Sequence, residues 1–205
     1  HEPPLTASES QLPQQTLRLQ SELNPASDYV RSLLPNPLTG KIKIEHQFAP
    51  SAQLGGDIFD YYWLDSNHLV VYLLDVAGHG VKSALLSISI LNILRSQSLY
   101  NTDFYEPWIV LAELNRVFQM NEAGDNYFTI WYGVISLEDR ELVYASAGHP
   151  PGIFITQDNT HVQHLDNDNI PIGMLEEYDF EQDICSIKTG DSLYIFSDGI
   201  YEVSQ

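Results

Sequence analysis

Two apolar segments near the middle of the chain alternate in the manner of a β-hairpin. Residues 57–64 (DIFDYYWL) and 68–74 (HLVVYLL) are rich in β-branched and aromatic side chains, and the turn sequence Asp-Ser-Asn separates them. This pattern predicts two antiparallel strands joined by a tight turn. Asp57 and Asp75 then lie near the outer ends of adjacent strands, so the hairpin brings two carboxylates to the same end of a sheet.

Three segments have the period of amphipathic or buried helices. Residues 24–34 begin with Asn-Pro, a capping residue followed by a proline suited to the first helical position. Residues 80–99 are apolar on most of their circumference, which predicts a long helix that covers a sheet. Residues 106–120 form a shorter amphipathic pattern that begins at Pro107.

The remaining segments are predicted to be strands. Apolar and polar residues alternate from Lys41 to Phe48, which is typical of a half-buried strand. Six further segments are bounded by glycine and aspartate turns: 127–137, 140–147, 152–156, 161–165, 180–187 and 191–197. Strands, then two helices, then a run of hairpins indicate an α+β fold, with two antiparallel β-sheets packed as a sandwich and helices on the outer faces.

Composition and charge narrow the class of protein. With 205 residues and 43% hydrophobic side chains, the chain can bury a sizeable core. Its net charge of -19, from 28 acidic and 9 basic residues, argues against nucleic acid or an anionic membrane as a partner. Excess acid is compatible with divalent-cation binding, although a solvated acidic surface accounts for most of these charges.

Cysteine content and segment composition give expectations about location and domains. The single Cys185 excludes an internal disulfide and fits a reducing cytosol, so we expect a cytoplasmic protein. The start at His-Glu rather than Met indicates part of a longer protein. We expect residues 1–23 to be a linker from an upstream domain, 24–40 a connecting helix with a proline-rich turn, and 41–205 the main domain.

Three aspartates occur in similar local settings. Asp57 follows Gly-Gly, Asp75 follows the apolar run LVVYLL, and Asp198 lies between LYIFS and a glycine. An unpaired buried carboxylate is costly, and the chain has few basic residues, so a hard cation such as Mg²⁺ or Mn²⁺ is a natural partner. Two such ions can activate one water for attack on phosphorus. Helix capping and turn formation are the alternative roles, and spacing alone leaves them open.

Six motifs follow one another in a set order: PSAQLGGDIFDY, LLDVAGHGVKSAL, NYFTIWYGV, LVYASAGHPP, PIGM and SLYIFSDGIYEV. Together they resemble the metal-dependent protein phosphatase (PPM, phosphatase 2C-like) family in its bacterial SpoIIE-like branch. The resemblance covers residues 33–205, and the motifs are specific as a set although each alone is weak.

The resemblance implies a fold and a ligand set. The fold is a β-sandwich with a helical layer on each face and the metal ions at one end. The metal ligands are Asp57, Asp75, which bridges two Mg²⁺ or Mn²⁺ ions, the main-chain carbonyl of Val76, and Asp198. The three aspartates would act in catalysis through metal-activated water.

The resemblance also implies a function in bacterial two-component signalling. The chain would be the output domain of a response regulator, placed after a receiver or sensor domain. It would dephosphorylate Ser or Thr of a regulatory phosphoprotein, an anti-sigma-factor antagonist. A non-catalytic, phosphatase-like partner-binding module and a hydrolase of small phosphoesters are the alternatives. The helix 24–34 would couple input to catalysis through the helix that starts at Val81. The oligomeric state stays open, and a homodimer is among the options.

The chain departs from the family pattern in three places. A further metal aspartate of the family would lie beyond Gln205. Better-known eukaryotic relatives carry a histidine two residues after the bridging aspartate, where this chain has Ala77, and no arginine matches their phosphate-binding arginine. His79 is therefore a candidate catalytic group, with a purely structural turn role as the alternative. His149 is predicted to shape its loop by bonding nearby backbone.

Overall fold

Two antiparallel sheets form the framework of the protein. The computed structural model describes residues 24–49, 54–119 and 127–200. Its elements are α1 (24–33), β1 (Asp57–Trp63), β2 (His68–Val76), α2 (Val81–Arg95), α3 (Pro107–Val117), β3 (Phe128–Ser136), β4 (Glu141–Ala147), β5 (Gly152–Ile155), β6 (Val162–Leu165), β7 (Asp183–Ser186), β8 (Ser192–Tyr194) and a 3-10 turn (Asp198–Ile200). The five-stranded sheet has the order β1-β2-β3-β4-β7, and the three-stranded sheet has the order β6-β5-β8. The predicted α+β class with two antiparallel sheets is confirmed.

Several predicted segments lie outside the described residues. These are the linker 1–23, the loop 121–126 and residues 201–205. The helix predicted over 106–120 ends three residues earlier, at Val117, because Phe118 is extended. Within the described ranges, no helix has the length and apolar content needed to cross a membrane.

Alternate residues of the central strands face two separate cores. The even-numbered residues pack with the helices, and they are Val70, Tyr72, Leu74, Val76, Phe128, Ile130, Tyr132 and Val134. The odd-numbered residues face the three-stranded sheet, and the buried ones are Leu69, Val71 and Trp131. Because side chains alternate along a strand, burial on both faces fixes which residues point to each face.

Trp131 joins the two sheets. Its side chain is fully buried, and the indole Nε1 donates a hydrogen bond of 2.9 Å to the carbonyl of Leu165 in β6. The ring stacks on Tyr144 with 5.7 Å between centroids. A Cβ at Gly133 would collide with the same ring, so the strand needs glycine there. This one aromatic residue therefore sets the packing between the sheets.

The helices α2 and α3 both cover the outer face of the five-stranded sheet. Their buried residues include Ile90, Leu91 and Leu94 of α2 and Val110, Leu111 and Leu114 of α3. The predicted end of α2 at residue 99 is four residues too late, because the helix ends at Arg95 and Ser96 caps it. On the three-stranded sheet, Val162 and Tyr194 are more than half exposed. Among the described residues, α2 and α3 therefore form the helical layer on the outer face of the five-stranded sheet. The outer face of the three-stranded sheet carries no corresponding helix within these residues.

The strand predicted from Lys41 to Phe48 is wrong. In this segment only Ile44 pairs, through an isolated antiparallel bridge with Leu38. Ile42 and Ile44 nevertheless pack against the core between the sheets. The alternation reports burial on one side of an irregular segment rather than membership of a sheet. Two later strands, β7 and β8, are also shorter than predicted.

An ion pair between a buried carboxylate and a partly exposed guanidinium joins β1 and α2, and the same guanidinium contacts α1. Asp60 of β1 is 3% exposed, and Arg95 Nε at the end of α2 donates to its carboxylate at 2.8 Å. This hydrogen bond to Asp60 raises the pKa of Arg95. The same guanidinium donates through Nη2 to the carbonyl of Leu33 at 2.9 Å. The helix α1 also packs on α2 through Val30 and Ala84.

We predict that Arg95→Met lowers the free energy of unfolding by about 3 kcal/mol, because it leaves the Asp60 carboxylate buried without its partner. Urea denaturation measures this loss. The double variant Asp60→Asn/Arg95→Met is the control and should recover part of the stability, since it removes the buried charge. An Arg95→Met chain as stable as the wild type would contradict the assigned role of the pair.

Candidate metal centre

Three side chains form a row at one end of the five-stranded sheet. Asp57 of β1 is directly opposite Asp75 of β2, and Asp75 is directly opposite Thr129 of β3. All three belong to the odd-numbered series that faces the second sheet. Cross-strand partners on one face have Cβ atoms about 5 Å apart, so the two carboxylates are neighbours. The hairpin pattern predicted this arrangement.

The donor chemistry of this row suits a hard cation. Asp57 and Asp75 are both half-buried and stand directly opposite each other. Mg²⁺ and Mn²⁺ prefer carboxylate and carbonyl oxygens, which are the donors that these two residues and the Val76 carbonyl offer. The residues present therefore fit the metal that the sequence predicted.

The carbonyl of Val76 is held beside this row by a close backbone approach. The Val76 amide donates to the carbonyl of Gly56 at 3.4 Å. A Cβ at Gly56 would collide with the Val76 carbonyl oxygen and crowd its amide nitrogen. Only glycine leaves this space, which explains the glycine directly before Asp57. The predicted carbonyl ligand thus lies next to the two carboxylates in the backbone as well as in the sequence.

The turn between β2 and α2 is fixed by backbone bonds. The amide of Ala77 donates to the carbonyl of Tyr127, and the amide of Gly80 donates to the carbonyl of Leu54, both at 3.1 Å. Gly80 has a φ of 90°, a left-handed conformation that favours glycine. His79 is exposed, and its side chain makes no hydrogen bond to another described residue. The structure does not bring His79 into the row.

Asp198 opens the 3-10 turn that follows β8, and its side chain is exposed. The preceding Ser197 donates from Oγ to Asp57 Oδ2 at 2.9 Å, so this segment contacts the row. Among the described residues, however, no three His, Cys, Asp or Glu side chains converge as a metal-binding group. The structure therefore gathers Asp57 and Asp75 but not Asp198, whose role as a ligand stays a prediction.

His149 contacts the third member of the row. Its Nδ1 lies 2.8 Å from the hydroxyl of Thr129, and burial lowers the pKa of His149 to about 4, so the ring is neutral near pH 7. The prediction that this ring bonds nearby backbone does not include the Thr129 contact, whose partner is a side chain 20 positions away. Sequence reasoning missed Thr129 and Ser197. The only available signal was their place in the NYFTIWYGV and SDG motifs.

The loop that follows residue 170 borders the same end of the sheet. Ile172 pairs with Phe128, which is the cross-strand partner of Val76. The buried Asn115 of α3 holds this loop, since its side chain accepts from the Gly173 amide at 2.7 Å and donates to the Leu175 carbonyl at 2.8 Å. The PIGM motif therefore lies beside the row of carboxylates.

Comparison with known proteins now gives the family. The sequence profile of Stage II sporulation protein E (SpoIIE) matches residues 65–205. The chain belongs to the SpoIIE family. It is 31% identical over 192 residues to the phosphoserine phosphatase RsbP of Bacillus subtilis, and 29% identical over 195 residues to the phosphoserine phosphatase RsbU of the same organism. The resemblance to phosphatase 2C-like proteins is confirmed.

These matches cover the chain and the relatives unequally. The RsbP and RsbU matches cover 91% and 92% of this chain but 46% and 57% of the relatives, so the chain spans about half of their length. The SiaA-PP2C domain of Pseudomonas aeruginosa has the same fold, with a TM-score of 0.71 at 20% identity, over 95% of this chain and 75% of that one.

We predict that Gly56→Ala lowers the affinity for Mn²⁺ about tenfold, because the added Cβ displaces the Val76 carbonyl from the row. Isothermal titration calorimetry measures the affinity. Gly199→Ala is the matched control, since it also stands next to a candidate ligand but, among the described residues, its Cβ would meet only the Ser197 hydroxyl, at 3.9 Å. Equal affinities in both variants would contradict a role for the Val76 carbonyl.

Proposed function

We propose that the chain is the catalytic domain of a metal-dependent phosphatase that acts on Ser or Thr of a regulatory phosphoprotein. The observation that carries this proposal is the pair Asp57 and Asp75, held opposite each other beside the Val76 carbonyl. Membership of the SpoIIE family supports it, as do relatives that are themselves phosphoserine phosphatases.

The same residues would hold the metal. Asp57, Asp75, the Val76 carbonyl and Asp198 would bind two Mg²⁺ or Mn²⁺ ions, with Asp75 between them. When bound, such a pair supplies an activated water and neutralises charge at phosphorus. The oxygen-only donor set supports these cations over softer metals.

The protein itself orients these donors. Ser197 donates to Asp57 Oδ2, so one lone pair of that carboxylate is already occupied and its orientation is restricted. Gly56 allows the Val76 carbonyl to approach, and the paired strands keep both carboxylates on one face. His79, exposed in the turn before α2, stays a candidate proton donor to the leaving group.

The substrate we propose is a protein rather than a small phosphoester. Met174 and Leu175 are 43% and 55% exposed on the loop that borders the row, although Asn115 holds the loop backbone in place. Exposed apolar side chains beside a catalytic end suit contact with a folded partner. By family resemblance, we propose an anti-sigma-factor antagonist as that partner, with the reaction taking place in the cytoplasm.

A non-catalytic, partner-binding module is the second candidate. It would need the fold but not an oxygen donor set of two opposed carboxylates beside a main-chain carbonyl. The retention of Asp57, Asp75 and the crowded Gly56 therefore favours the enzyme.

We predict that hydrolysis of a phosphoserine protein by the complete gene product requires Mn²⁺ and falls at least about a hundredfold in Asp75→Asn, because loss of even an outer-shell partner costs metal sites about 10- to 100-fold. Phosphate release with Mn²⁺ or EDTA measures this. Asp65→Asn, in the turn at the other end of the same hairpin, is the control and should keep full activity. Metal-independent turnover, or full activity in Asp75→Asn, would contradict the proposal. Faster turnover of a small phosphoester than of the protein would contradict the substrate class.

We also propose that α1 couples an upstream receiver or sensor domain to the metal centre. Val30 of α1 and Ala84 of α2 lie in one buried cluster, and the turn 77–80 joins α2 to the end of β2, where Asp75 and Val76 lie. Arg95 fixes the C-terminal end of α1 through the Leu33 carbonyl. A shift of α1 would therefore move α2 and the turn before it.

We predict that Val30→Glu changes Mn²⁺-dependent turnover about fivefold or more, a coupling of ordinary size, because it separates α1 from α2. Tyr29→Glu is the matched control on the same helix, since Tyr29 is 58% exposed, and it should leave turnover unchanged. Hydrogen exchange of the α1 amides reports the separation. If the α1 amides of Val30→Glu exchange rapidly but its turnover is unchanged, the result would contradict the proposed coupling.

A further inference from the structure

His149 is a buried histidine to which the ligand set assigns no role. It lies directly after Gly148 in the turn that follows β4, and only 6% of its surface is exposed. The turn is held at two points, because the Gly148 amide donates to the Asn169 carbonyl and the Ser146 hydroxyl donates to the carbonyl of His149 itself. The position of the ring is therefore determined by the fold.

The ring contacts the row of Asp57, Asp75 and Thr129 through its third member. Nδ1 of His149 lies 2.8 Å from Thr129 Oγ1, and Thr129 is directly opposite Asp75 on the same face of the sheet. A threonine hydroxyl can rotate among several directions, and a hydrogen bond to the imidazole restricts it to one. His149 thus controls the hydroxyl that stands beside Asp75.

The ring also lies beside the segment that carries Asp198. It interacts with the main chain of Phe196, and the next residue, Ser197, donates to Asp57 Oδ2. This segment is therefore anchored to the row at Ser197 and lies next to His149 at Phe196. Through these contacts His149 connects the sheet that carries Asp57 and Asp75 with the segment that carries Asp198.

If the His149 ring served only to fill space, an apolar side chain at this position would give a more stable protein. Nε2 of His149 is buried and has no hydrogen-bond partner of ordinary geometry among the described residues. Burial of such a nitrogen costs free energy that a leucine would not lose. The polar ring is useful here through the Thr129 bond and the Phe196 contact.

We propose that His149 is a positioning residue that orients the Thr129 hydroxyl beside Asp75 and holds the 196–198 segment against Asp57, so that the donor oxygens are arranged before a cation binds. This inference rests on the proposed metal-dependent function. Partners one shell outside the ligands of a metal commonly set ligand orientation and affinity in this way.

The test is Mn²⁺ binding to the metal-free chain by titration calorimetry, together with the free energy of unfolding in EDTA. Thr129→Val and His149→Leu should each weaken Mn²⁺ binding about tenfold. The double variant should bind no more weakly than His149→Leu alone, because that variant has already lost the hydrogen bond to Thr129. Thr129→Ser keeps a hydroxyl and should bind as the wild type does.

A conservative variant separates positioning from packing. His149→Asn places an amide close to the position of Nδ1 and should restore most of the affinity that His149→Leu loses, whereas His149→Gln, which places its amide near Nε2, should not. The free energies of unfolding of these His149 variants in EDTA should not follow the order of their Mn²⁺ affinities. Should His149→Leu fail to fold, Thr129→Val and Thr129→Ser still decide the question.

The measurements distinguish failure of the positioning role from failure of the proposed function. Wild-type affinity in Thr129→Val and His149→Leu, or fully additive losses, would overturn the positioning role and leave the proposed function intact. A wild-type chain that binds no Mn²⁺ would overturn the proposed function and the positioning role together.

Discussion

The register of β1, β2 and β3 is the constraint on which the site depends. It sets Asp57 opposite Asp75 and Asp75 opposite Thr129, all on the face toward the second sheet. A slip of one residue in β2 would turn its carboxylate toward the helices and bring Leu74 or Val76 into the row. The donors therefore need no flexible loop to bring them together, because the same backbone pairing that builds the sheet places them side by side.

The two cores maintain that register. Even-numbered side chains of β2 and β3 are buried against α2 and α3, and odd-numbered ones are buried against the three-stranded sheet. Burial on both faces makes every slipped pairing expensive, since an apolar side chain would meet the polar end of the sheet. Trp131 joins the two sheets in the middle of β3, two residues from Thr129. Stability and function thus use the same strands, with apolar residues in their middle and oxygen donors at one end.

Local patterns could predict the hairpin and the meeting of its two aspartates, because the turn and the alternation both lie within 20 consecutive residues. The alternation from residue 41 to 48 led to the wrong prediction of a strand. Such a pattern reports burial on one side of the segment and not whether a neighbouring strand is available for pairing. The bond between Thr129 and His149 could not be predicted. This bond depends on the pairing of β4 with β3 and on the conformation of the turn after β4. The spacing of apolar residues along the sequence contains no information on either. The local setting and the motif order both mark Asp198 as a candidate ligand, but the described geometry does not gather it with the other two aspartates.

The direct test of the metal centre is a crystal structure of the protein grown with Mn²⁺, with data collected at the manganese absorption edge. We predict anomalous density between the carboxylates of Asp57 and Asp75, within about 2.2 Å of their oxygens and of the Val76 carbonyl oxygen. Density elsewhere on the acidic surface, or none in crystals saturated with Mn²⁺, would contradict it.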